Sequence, residues 1–176
     1  MKNYLELIEL ISMIRNDYLI SGSVATMIYL NKEIRKCNDM DVHFNKRLTE
    51  YEIYLLDKKK KIQNYNQKQI VFEDKTKVDI NYEKFPISIY SNIRLVKLEK
   101  LIGDKINRCI NNFRNKDLYD LYFLLELRYD LENLRDYIIE YKPIVYDSKV
   151  FNEFQKSCKY KINHKKALEK ILNVIQ

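Results

Sequence analysis

The chain has 176 residues, 46% apolar and 32% charged, with 32 Lys and Arg against 25 Asp and Glu and a formal net charge of +7. This length suits one domain or two small ones, and the composition excludes disordered and fibrous classes, while no apolar run approaches the ~18–20 residues that cross a bilayer. Cys37, Cys109 and Cys158 are widely spaced without a C-x-x-C pair, and Glu6, Glu9, Arg15 and Asp17 interrupt the opening segment, so neither a disulfide framework, a zinc site nor a secretion signal is expected and the protein is placed in the cytoplasm.

Residues 3–15 carry Tyr4, Leu7, Ile8, Ile11 and Ile14 at helical spacing, which predicts an amphipathic opening helix. D-Y-L-I-S-G-S (17–23) then reads as a short strand ending in a glycine, after which Ala25, Ile28 and Tyr29 resume a helical period. D-M-D-V-H-F (39–44) alternates Asp39, Asp41 and His43 with Met40, Val42 and Phe44, a strand with one polar face, followed by a helix from about Thr49 to Asp57. Q-I-V-F-E-D (69–74) and K-V-D-I-N-Y (77–82) predict an antiparallel hairpin turning at Asp74–Thr76, and Pro86 is expected to end the strand-rich part. From Leu95 onward only helices are expected, near 96–111, 116–127, 131–141, 148–158 and 164–175. Glycine is so scarce that each one asks for a reason, and Gly103 fits close helix packing.

Charge divides unevenly. Residues 1–93 hold fifteen basic and thirteen acidic side chains and residues 94–176 hold seventeen and twelve, so the second half leans toward anionic partners. The run Lys58–Lys61 reads as a solvated turn, and the 15 tyrosines as half-buried packing residues.

The chemistry concentrates in three places. Asp39 and Asp41, two apart on a strand, project from one face and suit a shared magnesium ion, although aspartates are common enough here for the pair to arise by chance on a solvated strand. Gly22-Ser23 falls at a strand-to-helix turn, where a glycine lets the backbone approach a phosphate and the helix start offers unpaired N–H groups, the plain alternative being a turn glycine with a serine cap. Asp79 sits in a strand whose opposite face is apolar; beside the first pair it would make a repulsive carboxylate cluster that a cation relieves, and otherwise it is a surface residue. His43 shares the face of Asp39 and Asp41 and could line the nucleotide pocket, but a solvated or structural place is the preferred reading.

G-S opening a helix, D-x-D on a strand and a later strand aspartate resemble, in that order, the polymerase-beta-like nucleotidyltransferase superfamily. R-K-C-N-D-M-D (35–41) is similar to the Arg-x-Ser/Thr-x-Asp-x-Asp element of the AbiEii/AbiGii-type toxin nucleotidyltransferases, and Lys105 followed by N-K-D-L-Y-D-L-Y-F-L-L (115–125) resembles their Lys-helix and Arg/Lys-Asp-Leu-Tyr-Asp-Leu. The resemblance spans about residues 18–126 and departs at Cys37, where those proteins carry a hydroxyl.

That resemblance implies that Gly22 and Ser23 contact a triphosphate, that Asp39 and Asp41 hold magnesium or manganese, and that Asp79 completes the metal site or acts as base. Lys105 and Asp117 would complete the catalytic pocket, with the bland alternative of an ion pair between neighbouring helices, and Arg35 would pair with a phosphate or brace the carboxylates. The expected architecture is α+β: a nucleotidyltransferase domain over residues 1–93 with a mixed β-sheet flanked by helices, then a helical bundle over 94–176, with the active site between them. The expected activity is transfer of a nucleoside monophosphate from an NTP to a hydroxyl, by resemblance a tRNA 3′ end, in a toxin with a cognate antitoxin. The competing readings are a catalytically inactive module that binds RNA or a protein partner, and a structural protein with coincidental motifs.

Overall fold

The computed structural model describes residues 2–139 and 142–176. In chain order it has α1 (Lys2–Ile14), β1 (Leu19–Ser21), α2 (Gly22–Tyr29), β2 (Met40–His43), α3 (Glu50–Lys59), β3 (Ile62–Asn66), β4 (Gln69–Phe72), β5 (Lys77–Asn81), β6 (Ile87–Tyr90) and β7 (Ile93–Val96). Five helices follow: α4 (Leu98–Asn111), α5 (Asn115–Leu124), α6 (Leu131–Arg135), α7 (Ser148–Gln155) and α8 (His164–Ile175). Two compact units result, one of residues 1–25 and 37–96, the other of 26–36 and 97–176, so the division falls inside α2.

The first unit is built on one seven-stranded sheet in the order β3-β4-β5-β2-β1-β7-β6. β1 pairs antiparallel with β2 and parallel with β7, and β2 pairs parallel with β5, which makes the sheet mixed and the class α+β. Register fixes its two faces. Ile20, Val42 and Ile80 stand side by side and are all buried, as are Met40, Val78 and Ile70 on the same parity, so one face is core. Phe44, Leu48 and Leu56 gather against Ile11 of α1, and α3 starts at a Thr49 cap that exchanges hydrogen bonds with Glu52.

The sheet is larger than the alternation of the sequence indicates. β3, β6 and β7 have no counterpart among the expected strands, and Pro86 precedes two further strands instead of ending the strand-rich part. β3 reads I-Q-N-Y-N with Gln63, Asn64 and Asn66 exposed, a polar edge without a period-two signature. β6 and β7 join through Ser91 and Asn92, both at positive φ (49° and 66°), a two-residue hairpin that Ser-Asn forms without the glycine that usually announces it. The helix expected over 131–141 is one short helix over 131–135; 140 and 141 lie outside the described residues.

In the helical unit, α5 packs between α4 and α8. Tyr119 ties the 26–36 segment to it, its hydroxyl donating to the carbonyls of Ile34 (3.2 Å) and Tyr160 (2.9 Å). Gly103 lies where α4 meets the chain at Tyr137: a Cβ there would come within 2.5 Å of the Tyr137 Cβ and 3.3 Å of its backbone. Asn107, one turn along, donates to the Tyr137 carbonyl (2.7 Å) and holds that segment close. Among the described residues no helix is long and apolar enough to cross a membrane.

Gly103→Ala should therefore destabilise the protein by about 1–3 kcal/mol of overpacking, set against up to ~1 kcal/mol that alanine returns through helix propensity. Denaturant unfolding reads the balance, and a more stable variant would contradict this packing.

Candidate active site

β1 runs into Gly22 at φ +64°, a left-handed conformation that L side chains rarely adopt, and α2 begins there with Ser23 buried in its first turn. Space demands glycine as firmly as φ does. An ideal Cβ at Gly22 would lie 1.9 Å from Oδ2 of Asp41 and 2.9 Å from its carboxyl carbon. The start of α2, where backbone N–H groups lack intrahelical partners and the helix dipole is positive, thus stands directly against the Asp41 carboxylate.

Asp41 belongs to a polar row that crosses four strands. Ser21 of β1 pairs with Asp41 of β2, Asp41 with Asp79 of β5, and Asp79 with Gln69 of β4. Registered residues share a face, so the two aspartates project side by side from strands about 4.8 Å apart. Gln69 donates from Nε2 to Asp79 Oδ1 at 2.7 Å and fixes that carboxylate. Asp39 precedes β2 by one residue and is half-buried, two positions before Asp41. His43, read as solvated or structural in preference to lining the nucleotide pocket, is buried, with Nε2 2.7 Å from Ser21 Oγ and its ring edge-on to Phe85 at 4.5 Å.

Among the described residues no group of three or more His, Cys, Asp or Glu side chains is arranged to hold a metal ion. Magnesium commonly binds through one or two carboxylates, with waters and the phosphates of its nucleotide completing its shell, and Asp41 and Asp79, side by side, can supply such carboxylates. The donor set therefore fits an ion that arrives with a triphosphate.

Arg35, Lys105 and Asp117 lie in the helical unit and are buried there in one network. Lys105 of α4 places Nζ 3.1 Å from Asp117 Oδ1 and 2.7 Å from Asp120 Oδ2 of α5. Arg35 grips Asp120 with two hydrogen bonds, from Nε (2.8 Å) and Nη2 (2.7 Å). Arg108 donates from Nε to Asp117 Oδ2 (2.9 Å), and Arg114 approaches the same oxygen at 3.6 Å. Asp117 and Asp120 thus meet four cations, of which Arg108 and Arg114 are 36% and 41% exposed. Burial raises the Asp117 carboxyl pKa, but the Lys105 and Arg108 charges outweigh it and hold the group at about 2. Burial, with the nearby Asp117 charge, pushes the neighbouring Cys109 thiol up to about 12, which keeps it protonated.

Ser21, Gln69, Arg108, Arg114 and Asp120 were not among the residues singled out from the sequence. Asp120 alone had a local signal: spaced three from Asp117 on one helix, it must share that residue's face. The others enter through strand register and helix packing.

The fold is that of a nucleotidyltransferase. A protein from H. pylori described as a nucleotidyltransferase superposes with a TM-score of 0.57 at 17% identity, covering 98% of this chain and 93% of that one. JHP933 from Helicobacter pylori gives 0.58 at 16% identity over 98% and 90%. The family model for the nucleotidyl transferase AbiEii toxin of type IV toxin–antitoxin systems matches residues 25–161, and the chain belongs to that family. Comparison with curated proteins gives no match.

Gly22→Ala should cost about 1–2 kcal/mol through the left-handed backbone alone, and more as the methyl displaces Asp41. Unfolding by denaturant measures it; a variant as stable as the parent would mean that the turn can relax away from Asp41. Asp117→Asn should cost about 3 kcal/mol or more at pH 7, because it leaves buried cations under-compensated. The Asp117 value in the folded protein lies below the ordinary 3.8, so its stabilisation is complete above about pH 4 and fades as pH falls toward 2. The variant should lose that part of the acid dependence, and an unchanged acid limb would contradict it.

Proposed function

We propose that this AbiEii-family nucleotidyltransferase transfers a nucleoside monophosphate from an NTP, in a magnesium- or manganese-dependent reaction, to the hydroxyl of a tRNA 3′ end. The single observation that carries this reading is the Asp41–Asp79 pair, held in register against the helix start at Gly22. These carboxylates would hold a divalent ion, whose charge would offset that of the triphosphate and of the transition state.

Each group of the chain then has a task. Gly22 and Ser23 present backbone to the triphosphate at the positive end of α2. Asp39 and Asp41 hold the metal, and Asp79, oriented by Gln69, serves as metal ligand or accepts the proton of the attacking hydroxyl. The new bond joins acceptor oxygen to the α-phosphorus, the bond from that phosphorus to the bridging oxygen breaks, and pyrophosphate leaves with the electron pair. Lys105 and Asp117 are assigned to catalysis, and Arg35 and Lys105 to the nucleotide, on the family resemblance; all three belong to one ion-pair network of the helical unit. An RNA acceptor agrees with the basic balance of residues 94–176. In a cytoplasmic toxin–antitoxin setting a cognate antitoxin would restrain this activity.

Incubation with labelled NTPs and total tRNA in magnesium should label the tRNA, with chelation abolishing the signal. Asp41→Ala or Asp79→Ala should lower the rate by at least about 100-fold, on the scale of losing one transition-state contact, without unfolding the chain. Unlabelled tRNA, with the label on a protein or small molecule, would overturn the acceptor, and full activity in both variants would overturn the site.

A further inference from the structure

The sheet face that carries Ser21, Asp41 and Asp79 continues one residue pair along the strands into a cavity of about 250 Å³. His43, two residues from Asp41, lines it opposite Leu19, its partner in register. Two residues along a strand are about 6.6 Å. This separation matches the reach from a ribose hydroxyl to the base of the same nucleoside.

The lining suits a base. Leu19, Phe85 and Ile87 supply aliphatic and aromatic surface, while Asn45, Glu83 and Lys84 supply an amide, a carboxylate and an ammonium for hydrogen bonds to a ring edge. His43 is a fixed wall, buried and held between Ser21 Oγ and the Phe85 ring. A volume below the roughly 300–1,000 Å³ of drug-sized sites admits one ring system and little more. Unstacked RNA bases are held in this way, against aromatic side chains with hydrogen bonds to their edges.

We propose that this cavity receives the base of the acceptor's 3′-terminal nucleoside, placing its hydroxyl at Asp41 and Asp79. The inference rests on the RNA-acceptor reading above. The triphosphate is assigned to the Gly22 end of β1, whereas Leu19 and the cavity lie at the other end of that strand, which leaves the cavity to the acceptor.

The chain contains no tryptophan, so Ile87→Trp, at a 49%-exposed position of β6, sets a single indole at the cavity rim with little risk to folding. A single-stranded oligoribonucleotide should quench its fluorescence saturably, and the same oligonucleotide with an abasic 3′-terminal ribose should not. Adding Phe85→Ala should weaken the quench-derived affinity by about tenfold, the scale of one stacked base. In the otherwise unaltered enzyme, Phe85→Ala should raise KM for RNA while KM for NTP and kcat stay put. Quenching by Mg-NTP alone would give the cavity to the donor base, and equal quenching by the abasic strand, or none by either ligand, would leave it without a base; each result overturns the inference. If the parent enzyme labels tRNA while the indole reports nothing, only this inference fails; if it labels no RNA, the RNA-acceptor reading fails first.

Discussion

The contact between Gly22 and Asp41 is the constraint on which the rest of the sheet face depends. A left-handed turn with no side chain lets α2 start against a carboxylate, and any Cβ there would occupy the space of the carboxylate oxygen. Because β1 and β2 are paired through Ser21 and Asp41, fixing one side of that contact fixes the other. The parallel β2–β5 register then brings Asp79 alongside, and Gln69 on β4 steadies it. Backbone geometry, more than side-chain choice, therefore decides where negative charge collects.

The two units hold their carboxylates in different ways. On the sheet, Asp41 and Asp79 stand side by side, the first against the start of α2 and the second held by Gln69. In the helical unit, Lys105, Arg108 and Arg114 pair with Asp117, and Arg35 and Lys105 pair with Asp120. Lys105 and Asp117 are almost fully buried, so their mutual attraction is little screened and each would be costly to leave alone.

Elements with a strong period were legible. The Leu7–Ile8–Ile11 stripe gives α1, the alternation through Met40 and Val42 gives β2, and the last helix emerges where Ala167, Ile171 and Val174 recur. Elements without a period were not. β3 is a polar edge that buries little, β6 leaves Ile87 and Ile89 exposed, and the Ser91-Asn92 turn lacks the glycine that marks most two-residue hairpins. Edge strands owe their form to a partner strand, and a partner leaves no trace in a short window of sequence.

By itself the sequence determined the local grammar: a glycine placed for a strand-to-helix turn, aspartates alternating with buried residues on β2, and Asp117 and Asp120 one helical turn apart. It also carried the family resemblance, because those elements keep their order along the chain. Only the tertiary structure decided that Asp79 stands beside Asp41, that Gln69 and Ser21 extend their row, and that Lys105 is shared between two aspartates. The physical reason is that periodicity is a property of neighbours in sequence, whereas register and charge pairing arise between segments tens of residues apart, where a slip of one residue turns a side chain from one face to the other.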